Sequence, residues 1–443
     1  MRNIALLFIT LSLFALLVGA FFGTLTGIQY VKPDFLKEVI AFNKMRPFHV
    51  STIIGWIILC ATGGIYYYLT HDLKLNLFSK KLASAHLLIF ILCIIAIYIS
   101  LISGNMGGRE YLTYAPIISL PILFGWILFG INYFKTTIQQ VQGWPVYLWM
   151  WGTGIVFMIY HFSEAHFWLI PYFRENFVRD ITVQWKSYGS FVGAWNMLVY
   201  GTAIFLMSRI KNNEDVSKGK KVFFFYFLGL VNLMLGWAHH TYIIPTQPWV
   251  RHLAYAVSMT EWIILISIIM SWRKSLTKHK IEQHHVSYNF LMATDFWVFV
   301  NLFLALLISI PTINLFTHGT HITVAHSMGT TIGINTTILL ASAFYIVNLE
   351  DKGHINRYLK IIKLGFWIFN ISLGIFWICL LLGGVEKSIW MYFTENPTPF
   401  GEMQTKLLPY MYVFLVAGFG IFIGIMMITI PLLLVLMKRI KNY

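Results

Sequence analysis

The chain has 443 residues, a length that ordinarily makes two or three soluble domains. Its composition excludes them: 58% of residues are hydrophobic and 11% charged, against about 25% charged in a typical globular protein, so lipid must cover much of the surface. The excess of 32 Lys+Arg over 17 Asp+Glu lies in loops and chain ends, which marks membrane topology and excludes a nucleic-acid-binding domain, a soluble enzyme and a disordered tail.

Taken in order, the hydrophobic runs predict twelve helices, near 4–23, 47–70, 83–104, 115–134, 145–170, 184–208, 222–245, 251–272, 289–311, 321–348, 360–383 and 408–437. The opening MRNIALLFITLSLFALLVGAFFG has the look of a signal peptide, but eleven further runs behind it make it an uncleaved first span. The reading is an all-α, polytopic protein with one membrane domain over 1–443. Cys60, Cys93 and Cys379 fall inside apolar runs, so no disulfide framework is expected, and no C-x-x-C-H occurs for covalent heme attachment. Basic residues alternate between sides. The two termini and the connections after spans 2, 4, 6, 8 and 10 hold 21 Lys/Arg and the other connections hold 11, with SRIKNNEDVSKGKKV, SWRKSLTKHK and LEDKGHINRYLKIIK the strongest runs. Both termini are therefore expected in the cytoplasm, across a bacterial-type inner membrane.

Fifteen histidines in such a chain need sorting by depth. His71, His279, His284, His285 and His354 fall in basic loops and read as solvated. His49 opens span 2, His239 and His240 sit near the end of span 7, and His326 sits in span 10. By the alternation of spans these four share one depth, on the side away from the basic loops. Ionisable groups there need partners, and imidazole suits heme iron, non-heme iron and copper. In THGTHITVAHSMGTTIGIN, His326 and Met328 are two residues apart and point about 200° apart on a helix. One helix can then offer an axial ligand on each face, and a His/Met pair raises a heme's potential. Adjacent His239 and His240 point about 100° apart on an ideal helix and can both bind a metal set between them.

These residues resemble the heme–copper oxidase superfamily, and within it the large catalytic subunit of the nitric oxide reductases. FHVSTIIGW, followed by Tyr66 and Tyr67, looks like the segment whose histidine binds the low-spin heme b. GGREY, with Arg109, Glu110 and Tyr111, resembles the loop whose glutamate helps hold a calcium between heme propionates. GWAHHTY resembles the pair that binds the non-heme iron, and Glu261 in SMTEW lies at the spacing of the family's buried glutamate. FTHGTHITVAH resembles the segment ending in the proximal histidine of the high-spin heme. The resemblance implies two b hemes, one on His49 and Met328 and one on His326. It implies a non-heme iron, or copper, on His239 and His240, with calcium at Glu110.

Two departures from the family stand out. Met328 replaces a second histidine. Span 6, VQWKSYGSFVGAWNMLVYG, has no histidine where the family supplies a third metal ligand and, one turn later, a glutamate; the corresponding positions fall near Tyr188 and Val192. The shell is expected to complete itself from Glu261, from Tyr188, or from His161, Glu164 and His166 of YHFSEAHFW. The implied function is reduction of nitric oxide to nitrous oxide, with electrons from a membrane-anchored or soluble cytochrome c partner. The alternatives are a cytochrome c-linked oxygen reductase, which the missing His-x-x-x-Tyr disfavours, and a non-catalytic heme carrier. A transporter would show broken, Gly/Pro-interrupted repeats, which this sequence lacks.

Overall fold

The computed structural model describes residues 2–259 and 262–441, and among them no strand occurs: the chain is all-helical. The spans run Arg2–Val31, Phe42–Asp72, Lys80–Ser103, Pro116–Gln140, Val146–Glu164, Phe177–Lys211, Lys220–Thr241, Pro248–Ser258 with Trp262–Lys274, His285–Ser309, His321–Asn356, Leu359–Tyr392 and Phe400–Lys441. Ten of these are long and apolar enough to cross a membrane. The other two are span 5, whose tryptophans, tyrosines and histidine dilute its hydropathy, and span 8, whose two pieces flank residues outside those described. The helices overrun the apolar runs: span 1 continues to Val31 and span 12 begins at Phe400.

The ends are set by local chemistry. Ser79, Asn176 and Thr320 cap spans 3, 6 and 10 by accepting from the amides of Leu82, Arg179 and Ile322, which satisfies first-turn donors that the helix leaves unpaired. Gly104 and Asn212, in the left-handed region at φ 74° and 51°, close spans 3 and 6. Side chains then sort by face. Phe296, Phe299 and Phe303 form an exposed stripe on span 9, at helical spacing, for lipid to cover. Trp56, Trp126, Trp151, Trp297 and Tyr66 to Tyr68 are fully buried and fill the bundle interior. Span 12 packs on spans 11 and 1, bringing the two ends of the chain together.

Span 10 is the most deeply buried of these helices, and it runs parallel to span 2. Trp56 Nε1 donates to Thr336 Oγ1 at 3.2 Å, Cys60 Sγ lies 3.8 Å from the Leu339 carbonyl, and the Tyr68 and Ser342 hydroxyls are 2.5 Å apart. Counting outward from the first pair, His49 is seven residues before Trp56 and Met328 eight before Thr336, so both lie about two turns further along and at one depth. Span 10 widens into a π-helix over Gly329–Thr336, directly after Met328. Such wide turns are frequent at functional sites, and a second one, over Tyr68–Asp72, ends span 2.

Candidate metal and heme centre

Span 7 ends in a tight 3-10 turn, Gly236–Thr241, that carries both adjacent histidines. The turn brings the His239 and His240 Nε2 atoms to 3.1 Å. Two imidazoles each about 2.0–2.1 Å from one ion stand roughly 3 Å apart, so this spacing is the bite of a single metal. His239 is steadied from behind, with Ser258 Oγ 3.4 Å from its Nδ1 and the Asn314 amide donating to its carbonyl at 3.4 Å. His326 and His318 stand within electrostatic reach of the pair. His318 lies in the loop before span 10, where burial lowers its pKa and favours the neutral ring.

His326 is held on span 10 by its backbone: the Asn301 amide donates to its carbonyl at 3.1 Å and to Thr330 Oγ1 at 2.9 Å. Its ring is buried, with the Asn301 backbone as hydrogen-bond neighbour. A ligating imidazole is commonly held in this way through its second nitrogen, so the ring suits an axial ligand. His49 is held likewise. Its Nδ1 lies 2.8 Å from the Gly19 carbonyl on span 1, which accepts from it and leaves Nε2 to bind iron. Gly23 completes this cradle, since a Cβ there would stand 2.7 Å from both Cε1 and Nδ1 of the ring. Met328 is half-buried against the core on the same helix as His326. His49, Met328 and His326 have donor atoms of the kinds that would hold heme iron.

The GGREY loop folds as a tight turn with Tyr111 at φ 65°. Burial pushes the Tyr111 phenol up to about 12. Arg109 makes a two-point pair with Asp180 of span 6, at 2.9 and 3.0 Å. Glu110 pairs in the same way with Arg46, at 2.6 and 3.4 Å, and Arg46 lies one turn before His49. Among the described residues no cluster of three or more His, Cys, Asp or Glu could hold a metal. Glu110 is paired with Arg46, and His239 and His240 are the two imidazoles brought together among the described residues.

The expected ways of completing that centre fare unequally. Tyr188 is turned toward the GGREY loop, its ring 5.9 Å from Tyr111, with its hydroxyl buried and unpaired among the described residues. The span 6 side chain on the pair is Trp185, stacked on His240 at 4.9 Å and 9°. Three residues on a helix leave Tyr188 about 60° away from that direction, whereas Val192, seven residues on, shares the face of Trp185 but carries no donor atom. Glu164 is likewise spent elsewhere: one carboxylate oxygen accepts from Lys186 and the other pairs with His161 Nδ1 at 2.8 Å. His166 pairs with its own helix, at the Phe162 carbonyl. Glu261 lies outside the described residues. The sequence reading missed Trp185, Arg46 and Asp180. Arg46 had a readable signal, because a charge three residues before His49 shares its helix face.

Comparisons with known proteins bear on the family and the fold. Residues 3–420 match the family model described as cytochrome c and quinol oxidase polypeptide I, and the chain belongs to that heme–copper oxidase family. It is 22% identical over 402 residues to a nitric oxide reductase subunit of Stutzerimonas stutzeri, covering 84% of this chain and 81% of that one. It is 20% identical over 422 residues to a cytochrome c oxidase subunit 1 homolog of Agrobacterium tumefaciens (strain T37), covering 89% and 76%. A cryo-EM structure of a heme–copper terminal oxidase dimer shares the fold, with a TM-score of 0.77 at 14% identity over 98% of this chain and 84% of that one. The chain is a membrane-embedded oxidoreductase.

Proposed function

We propose that this chain is the catalytic subunit of a respiratory nitric oxide reductase, joining two NO molecules with two electrons and two protons to give N₂O and water. The observation that carries the reading is the convergence of His239 and His240 at 3.1 Å within reach of His326. A non-heme iron on that pair, facing a heme, would supply Lewis-acid and redox chemistry for two bound gas molecules. The chain's own part is to hold the ligands in place: Ser258 and Asn314 orient His239, Asn301 fixes the His326 turn, and the Gly19 carbonyl sets the His49 tautomer. Glu261, by its spacing from the pair, is the candidate for charge balance or proton supply. The likeness to the nitric oxide reductase subunit of Stutzerimonas stutzeri and the lack of a tyrosine one turn after a histidine on span 6 support this choice.

Oxygen reduction is the second reading, favoured by the similarity to the cytochrome c oxidase subunit 1 homolog. Parallel NO and O₂ consumption assays on purified protein, with iron, copper and heme counted, separate the two readings. Two hemes with one iron and N₂O release support the first; two hemes with one copper and O₂ uptake support the second. Two hemes alone with neither gas consumed leave an electron carrier. Electrons would come from a cytochrome c partner docking on the face away from the basic loops. Reporter fusions after Lys221 and after Arg251 should then read cytoplasm and exterior. The reverse pattern removes this placement of the donor.

A further inference from the structure

We propose that Trp185 stands in for a metal-binding side chain on span 6: it positions His240 by stacking and leaves the non-heme centre without a ligand from that helix. The inference rests on the metal-binding reading of the pair and adds what shapes it. The indole lies nearly parallel to the His240 ring, at 4.9 Å and 9°, and meets His318 edge-on at 5.7 Å and 68°. The second side-chain torsion of histidine is broad, so a flat neighbour is what fixes the plane of an imidazole that has no other orienting partner. His239 has Ser258 behind it, whereas the His240 ring nitrogen meets His239 itself. Stacking thus does for one ring what a hydrogen bond does for the other.

Span 6 offers no donor at these positions. The indole N–H can only donate, so Trp185 cannot ligate. Gly189, one turn on, brings no side chain, and a Cβ there would stand 2.9 Å from the Trp237 Cβ and 3.9 Å from the His240 Cδ2. The close approach of span 7 thus excludes a larger residue without a shift of Trp237. Lys186 anchors this turn of span 6 to Glu164 of span 5. A centre that takes no ligand from span 6 leaves one more position to small molecules, at a cost in metal affinity.

The test uses heme-loaded protein stripped of non-heme metal, with Zn(II) as the probe, competed against a chelator and counted by elemental analysis. Outer-shell partners are worth about 10–100-fold in metal affinity, so Trp185→Ala should weaken Zn(II) retention by about that factor. Trp185→Phe, which keeps a flat ring, should restore it to within about 3-fold of wild type. Trp185→His should tighten retention by about tenfold or more, by adding the ligand that span 6 lacks. Heme content and visible spectrum report whether each variant assembles. If Trp185→Ala fails to assemble, Trp185→His decides alone. Retention unmoved by Ala, retention not raised by His, or wild-type protein that holds no Zn(II) overturns the proposal. If the series behaves as stated but the complete enzyme reduces neither gas, the functional reading fails and this one stands. If the enzyme turns over while residue 185 leaves retention unmoved, the reverse holds.

Discussion

Two sets of buried polar groups in the bundle are treated in opposite ways. Away from the histidine layer, Glu350 and Asp72 anchor closed clusters. Glu350, with a side chain 1% exposed, meets the Tyr67 hydroxyl at 2.7 Å and Arg439 at 3.2 Å, and His71 lies at 3.8 Å. Asp72 pairs with Arg209 at 2.7 Å and accepts from the Tyr345 hydroxyl at 2.9 Å. These groups tie spans 2, 6, 10 and 12 together. In the histidine layer, imidazoles are held from behind, and the Nε2 atoms of His239 and His240 face each other. Saturated pairs give cohesion. Imidazoles oriented in this way in a protein interior are groups prepared for a ligand.

The largest effect should come from emptying the centre. His240→Ala should remove the non-heme metal and bring gas reduction to background while leaving both heme spectra intact; unchanged metal content would break the contrast between the two sets. Nearly as large is Gly23→Val, whose side chain would enter the space of the His49 ring and should abolish the low-spin heme signal. Gly55→Val on the same layer of helices is the control, because nothing lies within 4 Å of a Cβ there, and its spectrum should stay as in wild type. Met328→Leu should leave the heme in place but erase the near-infrared charge-transfer band of His/Met ligation. If the band persists, another residue is the sixth ligand.

In the cohesive clusters the effect should be on stability alone. Glu350→Ala removes a buried carboxylate from the Tyr67 hydroxyl and the part-exposed Arg439, which costs about 1–3 kcal/mol. It should lower the thermal unfolding temperature with heme spectra and metal content unchanged. The smallest change is expected at the surface. Arg46 and Glu110 are 44% and 41% exposed, so Arg46→Ala should cost no more than about 1 kcal/mol, measured by the same unfolding assay.

Most of the fold was open to sequence reasoning because lipid imposes a simple rule: backbone groups must pair within the helix, so each long apolar run becomes one. The runs near 83–104 and 289–311 became Lys80–Ser103 and His285–Ser309 with ends a few residues off. The π-helix after Met328 was not legible, since it depends on how span 10 packs against spans 2 and 9. The histidines were visible by depth and spacing, and the tight turn that joins His239 to His240 resolves how two rings about 100° apart can meet. Trp185 was hidden for a different reason. Hydropathy treats it as a core residue, and only the rotation of span 6 about its axis decides whether Trp185 or Tyr188 meets the pair. Motif spacing pointed to Tyr188, which lies about 60° around the helix from Trp185.

Anaerobic NO consumption by the purified chain with its cytochrome c partner, with N₂O measured, tests the central claim most directly. One N₂O should appear for every two NO consumed, in protein carrying two hemes and one non-heme iron. Wild-type protein that holds both hemes and this metal yet releases no N₂O would contradict it.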